Sequence, residues 1–127
     1  MKKNGILNAS LNSHISRLGH GDLVVVADCG LPIPLDTPTV DLALVFGVPR
    51  FTDVLDALRE DVVFEACVAA SEAISETAGD WIAERFHGVE YVSHDELKKL
   101  VASAKVVVRS GEATPYANVI LRCGVPF

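Results

Sequence analysis

The sequence is poor in aromatic side chains, with 1 Trp, 2 Tyr and 5 Phe in 127 residues. It also lacks a basic excess, because 17 acidic side chains outnumber 11 basic ones and leave a formal charge of −6. A nucleic-acid binder needs a cationic face for the phosphates, and an anionic lipid surface demands the same, so neither partner is expected. Long apolar runs are missing too. Runs such as Leu23–Ala27 and Val106–Val108 are strand-sized and far below the ~20 residues that span a bilayer. Met1-Lys2-Lys3 begins like a secretory n-region, but the Asn, Gly and Ser residues that follow supply no apolar h-region, so export is not expected.

The 3 Cys are an odd number with no CxxC spacing, which favours reduced thiols in a cytoplasm over a disulfide framework or a zinc site. No HxH, HxxxH or HExxH spacing occurs, so no metal centre is expected. No GxxxxGK[ST], GxGxxG or GxSxG run occurs either, which leaves no phosphate cradle or nucleophile elbow.

What the chain does have is apolar content of 50%, including 18 Val. That excludes disorder and is enough for one core, so a single domain over 1–127 is expected. Leu11, Ile15 and Leu18 share one helical face, predicting a short helix within Asn8–Leu18 that Gly19 ends. Leu23–Ala27 is continuous and β-branched, the pattern of a strand buried on both faces of a parallel sheet. The two prolines and glycine after it make a stiff loop.

Further strands are expected at Val40–Val45, Val62–Cys67, Val89–Val92, Lys105–Val108 and Asn118–Arg122. Helices are expected at Thr52–Leu58 with Thr52 as N-cap, from Ser71, over Asp80–Phe86, and over Ser93–Ala102 with a Ser93/Glu96 capping box. Strands alternating with helices imply an α/β fold, a layered Rossmann-like domain with a mostly parallel central sheet flanked by helices.

Ligands of open α/β sheets bind beyond the carboxyl ends of the strands, and three polar clusters are candidates for such a place. The first is Arg17–Asp22, in which His20 stands between two glycines that let it approach a ligand closely. Taken alone it reads first as a surface turn histidine. The second is Asp28, a carboxylate ending an apolar strand, either an acceptor for substrate hydroxyls or a cap of the following loop. The third is Arg109–Asn118, which mixes donors, acceptors and the Tyr116 ring as a sugar site requires, although a plain connecting loop has similar composition. His94, beside the proposed N-cap Ser93, suits a neutral hydrogen-bonding imidazole or an exposed first-turn side chain. His14 and His87 read as surface residues.

Taken together the segments are more specific than any one of them. Met1-Lys2-Lys3 through Asn8, Ile15-Ser16-Arg17-Leu18-Gly19-His20 and Asp28–Pro34 are three of them. Gly47-Val48-Pro49, Val107–Glu112, Pro115-Tyr116-Ala117-Asn118 and Gly124–Phe127 follow in order. With them the chain resembles the D-ribose pyranase family, in the group that also holds L-fucose mutarotases. Gly30-Leu31-Pro32-Ile33-Pro34 is similar to the pyranase branch. Cys29 stands where many members have Ala, and the segment before His94 is shorter than in some relatives.

The resemblance implies an isomerase without cofactor or metal that interconverts β-D-ribopyranose and β-D-ribofuranose and supplies the furanose to ribokinase in ribose catabolism. It implies His20 as proton donor, with Asp28, His94, Tyr116, Ala117 and Asn118 contacting the sugar. It also implies a ring-like homo-oligomer, commonly a decamer of stacked pentamers, with sites near subunit boundaries. Such a reaction moves only protons, for which imidazole is suited near neutral pH. The general base stays open between Asp28, His94 and water. An L-fucose mutarotase and a sugar-binding module without catalysis are the competing readings.

Overall fold

The computed structural model describes residues 1–127. Its centre is β1 (Leu23–Ala27), whose Val24, Val25, Val26 and Ala27 are wholly buried. A strand so apolar on both faces must be flanked and covered, and it is. Its neighbours are β5 (Val106–Arg109), running parallel, and β6 (Val119–Cys123), running antiparallel. Outside β5 lies β2 (Thr39–Asp41), and outside β6 lie β3 (Phe64–Ala70) and β4 (Glu90–Val92). The sheet order is β2-β5-β1-β6-β3-β4. Because β6 is antiparallel to both neighbours, the other five strands all point one way.

Alternation along β1 divides the interior in two. Val24 and Val26 face a layer built from α1 (Ala9–Ile15), α2 (Phe51–Asp61) and α3 (Thr77–Arg85), where Leu11, Phe51, Leu55, Leu58 and Ile82 are buried. Val25 and Ala27 face α4 (His94–Val101) through Leu97 and Val101. The predicted α/β architecture with its mostly parallel sheet is therefore present. No helix is long and apolar enough to cross a membrane.

Several element boundaries differ from the pattern reading for local reasons. α1 is shorter than Asn8–Leu18: the Asn8 side chain accepts from the Leu11 N–H to start it, and it closes at Ser16 rather than at Gly19. The Gly19 N–H instead donates to the Asp22 carboxylate at 2.8 Å, folding the turn before β1. β2 stops at Asp41, because Ala43 donates its N–H to Asp41 Oδ1 and bends the chain away. α2 starts at Phe51, where the Asp53 carboxylate accepts from the Arg50 N–H, so Thr52 is inside the helix and not its cap. β3 continues to Ala70, a 3₁₀ turn occupies Ser71–Ala73, and α3 begins only at Thr77. Ser93 does cap α4 by accepting from the Glu96 N–H. The reciprocal bond from the Ser93 N–H to Glu96 is absent, since Glu96 pairs with Lys99, and Glu72 accepts the next N–H, that of His94.

Candidate functional site: a carboxyl-edge arc and a separate histidine

The carboxyl ends of β1, β2, β3, β4 and β5 share one edge of the sheet, joined there by the amino end of β6. Asp28 leaves β1 at this edge and Asn118 enters β6 beside it. The Asn118 Nδ2 donates to Asp28 Oδ2 at 2.8 Å, and the Asp28 N–H donates to Asn118 Oδ1 at 2.9 Å. Asp28 Oδ1 also accepts the Gly30 N–H, the Asx turn anticipated for that loop. Both oxygens of the carboxylate are thus aimed by donors while their other lone pairs remain free for hydroxyls.

Tyr116 comes next. It takes a left-handed backbone at φ 60, rare for an aromatic residue, and its carbonyl accepts the Asn118 N–H at 2.8 Å. That tight turn buries Ala117 and Asn118 and raises the ring toward His94. The two rings meet edge to face, 5.2 Å between centroids and 82° between planes. His94 Nδ1 is buried without a hydrogen-bond partner, an uncommon condition for a ring nitrogen. His94, Tyr116, Asn118 and Asp28 therefore form one continuous arc.

The arc has a rigid backing. Arg109, at the end of β5, donates from Nη2 and Nε to the Cys29 carbonyl at 2.8 and 3.2 Å, and from Nη1 to both Asp41 oxygens. Ser110 Oγ donates to the Ala27 carbonyl at 2.7 Å. Glu72, on the 3₁₀ turn, accepts the His94 N–H at 3.0 and 3.1 Å, and that bond holds the Glu72 carboxyl below the usual carboxylate range. Arg109 and Ser110 belonged to the polar run singled out in the sequence. Glu72 did not, because a carboxylate 22 residues from the helix it caps leaves no local pattern.

His20 lies elsewhere. The cluster Arg17–Asp22 precedes β1, so it occupies the amino edge of the sheet, not the carboxyl edge to which all three clusters were assigned. Its Gly21 N–H donates to the Cys123 carbonyl at the far end of β6, a turn needing the φ of +85 that glycine supplies. The five residues of β1, at ~3.3 Å each, put roughly 16 Å between this edge and Asp28. Side chains cannot bridge that distance within one chain. At the amino edge His20 Nε2 lies 2.9 Å from Glu65 Oε2, and Arg122 Nε lies 3.0 Å from Glu65 Oε1. His87 is exposed beside Gly88, and His14 is half-buried in the last turn of α1.

Four surface concavities of 220 to 510 Å³ are lined by residues other than Asp28, His94 and Tyr116. Nowhere do three His, Cys, Asp or Glu side chains gather as metal ligands would.

The model of the RbsD / FucU transport protein family matches residues 1–126. The chain belongs to that family. Among its relatives, a D-ribose pyranase of Cutibacterium acnes is 50% identical over 127 residues, covering 100% of both chains. A D-ribose pyranase of Geobacillus thermodenitrificans is also 50% identical, covering 100% of this chain and 99% of its own. Bacillus subtilis RbsD, solved in complex with D-ribose, superposes with a TM-score of 0.94 at 43% identity, over 100% of each chain. The fucose mutarotase of Streptococcus pneumoniae, solved with L-fucose, reaches a TM-score of 0.81 over 95% of each chain at 19% identity, which establishes a common fold.

Proposed function

We propose that the protein is a D-ribose pyranase, an isomerase that opens β-D-ribopyranose and recloses it as β-D-ribofuranose. The observation that carries this reading is the Asp28–Asn118–Tyr116–His94 arc, in a chain half identical to D-ribose pyranases over its whole length. The arc offers a carboxylate and an amide for adjacent hydroxyls and a ring for the C–H face of a sugar. Ala117 contributes through its backbone. In ring opening the C1–O5 bond breaks, O5 gains a proton, and the anomeric hydroxyl loses one. In reclosure the C4 hydroxyl adds to C1, losing its proton as the carbonyl oxygen regains one. No electron pair leaves the sugar, so an acid and a base are sufficient.

His20 is the proton donor in this scheme. Asp28 holds hydroxyls, since its two oxygens already accept from Gly30 and Asn118. His94, whose ring meets Tyr116 edge to face and whose Nδ1 is unpartnered, suits either a hydroxyl or the anomeric proton.

His20 and Asp28 stand on opposite edges of one sheet, so the complete site needs two chains, the amino edge of one against the carboxyl edge of another. Contacts that pair unlike surfaces are heterologous, and when the rotation closes they build rings. This supports the ring-shaped homo-oligomer, a decamer by family resemblance. The exposed apolar side chains Leu44, Val45, Phe46 and Val48 on the loop after β2 give such an assembly surface to bury. Three free thiols suit a cytoplasmic enzyme.

The test is magnetisation transfer between the pyranose and furanose anomeric signals of ribose. Wild type accelerates the exchange and His20→Ala, correctly folded, does not. Acceleration of L-fucose anomer exchange without effect on ribose would select the mutarotase reading, and ribose binding without exchange the non-catalytic one.

A further inference from the structure

Glu65 has no role in the scheme above, yet two independent features single it out. The first is its contact set. One oxygen meets His20 Nε2 at 2.9 Å, and the other meets Arg122 Nε at 3.0 Å. The arginine fixes the plane of the carboxylate. The remaining oxygen is a pure acceptor, so the imidazole nitrogen facing it must carry hydrogen.

The second feature is the strand itself. In the β3–β6 pairing Phe64 opposes Cys123 and Ala66 opposes Arg122, which leaves Glu65 as the extra residue of a β-bulge. Strict alternation would put Glu65 on the face of Cys67 and Ala69, both buried in the larger core. The bulge reverses this. Phe64 packs against that core, and Glu65 turns out to the amino edge where His20 waits. Bulges re-aim side chains in this way and cluster beside functional sites. A carboxylate that only served as an exposed ion pair would not require the ladder to break.

We propose that Glu65 is a positioning residue for His20, resting on the reading of His20 as the proton donor. It accepts the Nε2–H, holds the ring in one orientation, and leaves Nδ1 as the nitrogen presented to the sugar. His20 then gives the Nδ1 proton to the ring oxygen as C1–O5 breaks, and ends as the neutral Nε2–H tautomer that Glu65 already binds. When the C4 hydroxyl closes on C1, the proton released overall returns to Nδ1, directly or through water, so the ring oxygen's gain and the hydroxyl's loss balance.

Long-range ¹⁵N–¹H correlation spectra of the intact ¹⁵N-labelled oligomer test this, with the His20 signals identified by their loss in His20→Ala. At a pH where the ring is neutral, wild-type His20 shows the Nε2–H tautomer alone. In Glu65→Gln, which keeps the size of the side chain, the signal relaxes toward the tautomer mixture of free histidine. The same variant loses roughly 10- to 100-fold in ribose exchange at saturating sugar, the size of effect typical of a partner that orients an imidazole from behind, with KM almost unchanged. A tautomer mixture in wild type overturns the proposal without reference to any variant. So does an Nε2–H signal that survives Glu65→Gln, or exchange that is unaffected. If wild type exchanges no ribose at all, the proposed function fails, and with it the catalytic purpose of Glu65. The tautomer spectra still decide whether Glu65 orients the ring.

Discussion

Asp28 and Asn118, 90 residues apart in sequence, close a two-bond ring across the β1–β6 pairing: side-chain amide to carboxylate, backbone N–H to side-chain carbonyl. The ring makes each residue the template for the other. An amide at position 28 has a single acceptor oxygen, so Asp28→Asn cannot serve both the Gly30 N–H and Asn118 Nδ2. Asp28→Asn is expected to weaken ribose binding, and calorimetry measures it. Asn118→Ala leaves Asp28 Oδ2 and the Asp28 N–H without their partner, and is expected to cost ~1–3 kcal/mol in denaturant unfolding as well as ribose affinity. Equal affinity in both variants would remove the ring from the site.

The separation of His20 from Asp28 predicts complementation. His20→Ala and Asp28→Asn are each expected to lose exchange. Co-expressed in equal amounts and randomly mixed, they should regain about a quarter of wild-type activity, because each site takes its histidine and its carboxylate from different chains. A site contained in one chain gives no recovery. Sedimentation showing only monomer would defeat the shared site.

Acid sensitivity should follow carboxylates whose folded state favours ionisation. The Arg85 guanidinium meets Asp56 at 2.6 and 3.0 Å and holds its carboxyl below the ordinary 3.8. A depressed folded value means stability that is complete above pH ~3.8 and is lost as the pH falls through the lower folded value. Asp56 is half exposed, so its contribution is ~1 kcal/mol or less. Asp56→Asn is therefore expected to lower the melting temperature slightly at pH 6, and this difference should shrink below pH ~3.8. A constant difference across that range would contradict the ion pair.

The thiols should separate sharply. Burial pushes Cys67 up to about 12, and burial with the Asp22 and Glu65 charges pushes Cys123 up to about 11. Neither offers a useful thiolate at pH 8. Cys29 is the one partly accessible thiol, so a disulfide reagent is expected to modify one cysteine per native chain and three after unfolding. Cys29→Ser should abolish the fast phase. Rapid modification of two thiols in the native protein would show that the core opens.

Much of the fold was legible because its signals are short-range. The Val-rich runs became β1 and β5, and Ser93 capped α4. Tyr116, Ala117 and Asn118 were named from composition and resemblance, and a left-handed turn joins them to Asp28 and His94. The missed features are non-local. Nothing near Glu72 tells that it caps a helix 22 residues away, and nothing near Phe64 tells that the ladder is about to slip by one residue. Placing Arg17–Asp22 at the carboxyl edge failed for a plainer reason: a segment that precedes a strand sits at that strand's amino end.

By itself the sequence determined which residue types were present for proton chemistry, which runs would be strands, and what the chain could not be. Side-chain periodicity and capping act over a few residues, so they are written into the chain. Only the tertiary structure decided that β6 runs against its neighbours, which brings Asn118 to Asp28 and Arg122 to the amino edge. It also decided that a bulge turns Glu65 toward His20, and that His20 and Asp28 lie a strand's length apart. Strand direction and register are settled by the burial of whole faces against distant segments, and no local pattern carries that information.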